Sequence, residues 1–380
     1  MSAGIKVIDE LKDLIVKKVQ HQPKNKALIA QDLRLEASEG KWAGSKDGNP
    51  LAAREDNYFS LGIRTLAGQA GNNAFGFAGL SVGEKQLPII GKIIEGMQEL
   101  SFKRAKLSAA QKGKLNKKHE GLKVYSTELA EVPAFIDTVE FAFRKNPLSI
   151  ELSELAKQTV KATKEMKKVK NASTAYAGIG VGFDRKLFVS LQGSVIDQSW
   201  PITEAYVYCS AKGKASADYG ASLGDKVGLE VMEGKNVFNK DLMDFSLWIA
   251  EGTSELADSP AAKDSRKEVN VVTDPWYNCL LVHEICGHPS EADRALKKEA
   301  AWAGRAWWFK SLKDNQLGRQ VASDKVSVFS DPGLQGYGHY KYDDEGVKAR
   351  KVYNIKEGIL NEFLNSRETA KLLGRQANGG

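Results

Sequence analysis

The chain has 380 residues, 42% of them apolar, a formal net charge of +7 and three cysteines. That length and apolar content can bury one large core or two modest ones, with two domains the better expectation, and no apolar run approaches the roughly 18–20 residues that a membrane span needs. Cys209, Cys279 and Cys286 are odd in number and lack CxxC spacing, which argues against a disulfide framework and for a reducing compartment.

The first residues lead into an amphipathic pattern (Ile8, Leu11, Leu14, Ile15) with no apolar signal core, so a cytoplasmic protein with no membrane partner is expected. Residues 5–19 have helical spacing, 27–36 and 58–77 read as strands, and 87–104 as a helix with Pro88 in its first turn. The polar, basic segment 108–123 reads as a connection, and 149–168 as a helix with Ser149 as N-cap. Lysine clusters at 112–118 and 164–170 lack aromatic interleaving or a reader motif, so they read as solvated helix faces and nucleic acid is not an expected partner.

From 173 to 222 the pattern becomes a β-meander, with strands at 176–182, 187–191, 195–199 and 205–210 and turns at 184–186 and 192–193. Gly178, Gly180 and Gly182 lie inside a strand pattern without the spacing or following helix of a dinucleotide fingerprint, and are read as strand glycines. A helix is expected at 239–255 and a strand at 269–272. Beyond Lys325 strands are expected at 337–342 and 351–355, with turns at 343–346 and 357–358. The chain closes on residues 375–380 just past a helical pattern, which reads as an interrupted domain. The expected fold is α+β, with mixed helices and mainly antiparallel sheets. Residues 1–170 are expected to form an N-terminal α+β domain, and 171–380 a β-rich C-terminal domain that carries the site helix, its end reading as either a truncation or a frayed terminus.

The strongest chemical signal is Leu280-Leu281-Val282-His283-Glu284-Ile285-Cys286-Gly287-His288. Asp274 and Pro275 supply an N-cap and a first-turn proline, and Leu280, Leu281 and Val282 predict a largely buried helix presenting two imidazoles and a carboxylate. Neutral imidazoles suit zinc, and a carboxylate beside the first ligand can take a proton from water activated by the metal and deliver it to a leaving amine. His283 and His288 are five apart, so on a regular helix they diverge by about 140° rather than the about 40° of an i, i+4 pair. A π-bulge or an unwound turn at Gly287, before Pro289, would bring them back together. Candidates for a further ligand are Cys209, Cys286, Glu291, Asp293 and His339, while Cys279 and Cys286 are more often core residues.

The run His283 to Asp293 resembles the HExxxH signature of the TldD/PmbA family, an archaeal-type TldD-like protein in particular. The resemblance extends to the acidic turn Tyr342–Gly346, to 354–360 and to 367–374, strongly after Val269 and weakly before Asn171. Pro289, where the family usually has glycine, and the aromatic stretch 302–309, which reads as helical core in an insertion, depart from it. The resemblance implies a zinc metallopeptidase hydrolysing unfolded or flexible peptides, working as a homodimer or with a motif-lacking paralogue. It implies His283 and His288 as zinc ligands and Glu284 as general base, with Glu291 or Asp293 orienting an imidazole. It also implies a ligand cysteine far downstream, whereas no cysteine here follows Cys286. The rival reading is a non-catalytic modulator or binding subunit that uses a basic surface on a protein or nucleic acid. The physiological substrate stays open.

Overall fold

In the computed structural model, residues 3–23, 25–69, 71–118, 125–260, 268–296, 298, 306, 312 and 314–379 are described. After helix α1 (Ala3–Gln20), strand β1 (Leu28–Lys46) turns back on β2 (Asn49–Gln69) through Asp47 and Gly48, at φ 50° and 79°. Asp-Gly is the pair that such a two-residue hairpin turn selects, because both central residues need positive φ. β3 (Asn72–Ser81) continues the hairpin series, and a 3-10 turn leads into α2 (Ile90–Lys118). Then follow β4 (Ile136–Glu140), α3 (Leu152–Met166), β5 (Ala172–Ser190), β6 (Val195–Lys212), β7 (Ser216–Asp225) and α4 (Leu242–Asp258).

The seven strands form one sheet in the order β3-β2-β1-β5-β6-β4, with β7 on the same edge of β6 as β4. All pairings are antiparallel except β4 with β6. β1 pairs with β5 from Asp32↔Ser190 to Lys46↔Tyr176, so a single hydrogen-bonded sheet crosses residue 170, where the sequence suggested a boundary.

One face of this sheet carries the core. Leu33, Leu35, Ala37 and Ala43 of β1 share a parity, as do Ala175, Ala177, Ile179, Leu187 and Val189 of β5, and side chains two apart point the same way. Helices α1 and α2 cover one end of that face through Ile5, Ile8, Ile15, Ile90 and Ile94. Helices α3 and α4 cover the other end through Leu155, Met166, Phe245 and Ile249. Each such fully buried side chain contributes about 1.5–3 kcal/mol. On the same face Arg185 donates to Asp197 and reaches Asp9 of α1. Burial raises the Asp197 carboxyl, but Arg185 and Lys12 outweigh it and hold the group below its usual range.

The opposite face mixes polar side chains with a small apolar cluster of Phe188, Ile196 and Tyr342, and receives the C-terminal part of the chain. Arg34 donates to the Asp344 carbonyl at 2.7 Å, Arg64 pairs with Glu345 at 2.7 Å, and Gln198 exchanges two hydrogen bonds with the Tyr342 backbone. The turn at 343–346 is thus clamped to β1, β2 and β6. The rest of this part comprises α5 (Pro275–Val282), α6 (Ala292–Ala295), β8 (Val328–Ser330), β9 (Val352–Lys356), β10 (Ile359–Leu360) and α7 (Arg367–Leu373), with β8, β9 and β10 forming a small antiparallel sheet.

Several expectations from sequence change. The basic segment from 108 to 118 continues α2 instead of forming a connection, because Ala105 and Ala109 keep the helical stripe buried; 119–123 lie outside the described residues. Ser149 sits in a separate 3-10 turn, and the N-cap of α3 is Glu151. The expected turn at 184–186 is absent, since β5 runs straight through it, and Val195 to Ser210 is one strand within β6, whereas Gly193 at φ 106° does turn the chain. Residues 269–272 and 337–342 are not strands. The aromatic stretch 302–309, apart from the buried Ala306, lies outside the described residues.

Candidate metal centre

Helix α5 begins as the sequence suggests, with the Asp274 side chain accepting the Tyr277 amide at 2.7 Å and Pro275 in the first turn. It then opens into one turn of π-helix, His283–Gly287, in which the His288 amide bonds back to the His283 carbonyl, five residues earlier. That widened turn adds one residue without changing the face, which is what a pair of ligands spaced i, i+5 requires. The two imidazoles meet edge to face, with ring centroids 4.2 Å apart. One potential ligand atom from each of His283, Glu284 and His288 lies within 4.8 Å of the others. Gly287 stays in the right-handed helical region, and a methyl group there would be in ordinary contact, so the widening does not depend on glycine's conformational freedom.

Beyond the turn the chain is well anchored. Ser290 donates to the Cys286 carbonyl at 2.6 Å, and Ser290 and Ala292 bridge to Leu364. Ala292 and Ala295 pack on Ile355, Leu360 and Phe363. Before the turn the anchoring is slight. None of the residues of α5 is buried: Leu280 is 58% exposed, and Ile285 in the π turn 51%. The expectation of a buried site helix is therefore corrected. The apolar run lacks a covering layer among the described residues, and a ring contact between Trp276 and Phe238 ties it to the body. His283 and Glu284 are exposed and His288 is half-buried, so water reaches the site.

Of the two residues expected to orient an imidazole, the structure brings Glu291 to His288, with Oε1 2.7 Å from Nδ1. The Asp293 carboxylate instead accepts the Arg294 amide. Arg294, which the motif reading passed over, grips the second oxygen of Glu291 at 2.8 Å and lies 3.0 Å from His288 Nδ1. The other candidate ligands are not brought into the cluster. Cys209 is sealed in the sheet core and Cys286 half-buried, and burial raises both thiols, disfavouring the thiolate that binds metal. His339 bonds the Pro332 carbonyl and stacks on Phe141.

The donor set fits a zinc ion: two imidazoles and a carboxylate, borne by a hydrogen-bonded turn and backed by a partner for one ring. His283 and His288 would hold it, and Glu284 stands within reach of the same point.

An α+β molecule built on a mainly antiparallel sheet, with a His-Glu-His cluster on a π turn in its C-terminal part, defines the class. Residues 266–380 match the model of the PmbA/TldA metallopeptidase C-terminal domain. A metalloprotease of Methanocaldococcus jannaschii is 28% identical over 352 residues, 92% of this chain and 68% of that protein. A zinc metalloprotease TldD homolog of Saccharolobus solfataricus is 32% identical over 114 residues, 30% of this chain and 23% of that one. Among solved structures, TldE from Thermococcus kodakarensis superposes with a TM-score of 0.58 at 17% identity, covering 98% of this chain and 72% of the other. Residues 266–380 are thus similar to the PmbA/TldA metallopeptidase C-terminal domain, and most of the chain is similar to an archaeal metalloprotease.

Proposed function

We propose that this chain is a zinc-dependent peptidase that hydrolyses unfolded or flexible peptides in the cytoplasm, as a homodimer or beside a motif-lacking paralogue. The observation that carries the reading is the π turn, which converts an unfavourable spacing into a convergent His283–Glu284–His288 cluster. A zinc ion bound there would supply Lewis-acid chemistry and lower the pKa of a water toward about 7. With that ion bound, Glu284 would accept a proton from the water on its carboxylate and return it to the leaving amine. Glu291 holds the His288 ring in place. The openness of the site favours an extended polypeptide over a small molecule, because His283 and Glu284 face solvent instead of a closed pocket. No helix of the described residues is long and apolar enough to cross a membrane.

A second reading, a non-catalytic modulator or binding subunit, takes support from the uncovered apolar side of α5. Elemental analysis and turnover of a fluorescently labelled unfolded protein separate the two. Wild type should carry about one zinc per chain, a His283→Ala, His288→Ala double variant none, and Glu284→Gln should keep the zinc while losing about 10²–10⁴ in turnover. Zinc retained by the double variant, or hydrolysis unchanged in Glu284→Gln, would sink the peptidase reading.

A further inference from the structure

The geometry around His288 points to a role for Arg294. We propose that Arg294 is a positioning residue that, through Glu291, selects the tautomer of His288 and so decides which ring nitrogen is presented to a metal; this rests on the metal-site reading above. Nδ1 of His288 has two neighbours that ask opposite things of it. Glu291 Oε1, at 2.7 Å, can only accept, and so requires a proton on Nδ1. Arg294 Nη2, at 3.0 Å, can only donate, and so requires a lone pair there. A neutral imidazole nitrogen cannot satisfy both. The contest is settled by the third contact in the triangle, in which Arg294 Nε holds Glu291 Oε2 at 2.8 Å and aims the other oxygen at the ring.

With Nδ1 protonated, the shorter contact becomes a charge-assisted hydrogen bond and the guanidinium keeps its bond to the carboxylate, so only the longer Nη2 contact at 3.0 Å is given up as a hydrogen bond. With the proton on Nε2 instead, a carboxylate oxygen would face an imidazole lone pair across 2.7 Å. The Nδ1–H form is therefore selected, and Nε2 carries the free lone pair that a metal needs. The triangle is locally built: Glu291 and Arg294 lie three and six residues beyond His288, and the Arg294 side chain is only 14% exposed. Its orientation does not depend on the open side of α5.

The test reads the tautomer directly on metal-free protein. Long-range nitrogen–proton NMR of the ¹⁵N-histidine-labelled chain shows which ring nitrogen bears the proton, and a His288→Ala sample assigns the signal among the five histidines. Wild type should show Nδ1–H. Arg294→Met, which keeps the apolar stem, should shift His288 toward Nε2–H and weaken zinc affinity about tenfold. Arg294→Lys should restore the Nδ1–H form by again holding Glu291. Glu291→Gln, which can turn its amide N–H toward Nδ1, should also drive the ring to Nε2–H. A wild-type Nε2–H tautomer, or a tautomer unmoved in both Arg294→Met and Glu291→Gln while their amide spectra remain native, would overturn the proposal. If wild type binds no zinc yet the tautomer moves as stated, the metal reading fails and the role of Arg294 stands.

Discussion

Asp343 illustrates how a single group can be held against its own preference. Burial in the clamped turn pushes its carboxyl up to about 6 from an ordinary 3.8, although the amides of Val347 and Glu345 favour the ionised form. An acid whose folded pKa is raised adds most to stability when protonated. Its contribution is whole below about pH 4 and is lost as the pH climbs through about 6. Asp343→Asn keeps an oxygen for both amides, so it should be more stable than wild type at pH 8 by up to about 3 kcal/mol, and the two should coincide near pH 4. Urea titrations at the two pH values check this. The cluster itself was legible at this scale because His283, Glu284 and His288 fall in one six-residue run, and the structure brings their side chains together. Arg294 was not. Its approach to His288 depends on the 3-10 turn at His288–Ser290, which folds a residue six positions away back onto the ring.

The site helix divides into a part that obeyed the sequence and a part that did not. The cap at Asp274 and the widened turn follow from local rules that need no tertiary information. Burial of Leu280 to Val282 does not, because an apolar run states what a segment could bury and not what lies across from it. Residues 269–272 failed for the same reason: Val271 and Val272 are largely exposed and no strand pairs with them among the described residues. Conversely, the second half of β1, from 37 to 46, was missed because polar Ser38, Glu39 and Lys41 hide its alternation, yet the Asp47-Gly48 turn marks where the hairpin must reverse. The π turn itself can be tested by removing its extra residue. Deleting Ile285 should let His283 and His288 converge on a regular helix at i, i+4 and keep about one zinc per chain, while replacing Gly287 by alanine changes little. Zinc lost on deletion, measured beside wild type, would mean that the widened turn sets more than the angle between the rings.

At the scale of the molecule, the pairing of β1 with β5 joins early and late segments into one sheet with its helices on one face. The antiparallel α+β character was legible from turn residues and period-two runs. The long-range pairing was not, since β1 and β5 are separated by three other strands, two helices and their connections. One sheet should unfold as one unit. Hydrogen exchange should therefore give β1 and β5 the same opening free energy, whereas distinct values across residue 170 would support a two-domain division there.

That cooperative body contrasts with α5, a helix of eight residues whose side chains lie mostly in water. Short exposed helices open at little free-energy cost, so a ligand of the His283–His288 turn would act on an equilibrium between its open and closed forms. An ion that binds only the closed turn favours it by about 4 kcal/mol at a free concentration a thousandfold above its dissociation constant. Chelation and local folding would then be a single equilibrium. The concentration of free zinc would set both how many sites are loaded and how many copies of this helix exist as a helix at all.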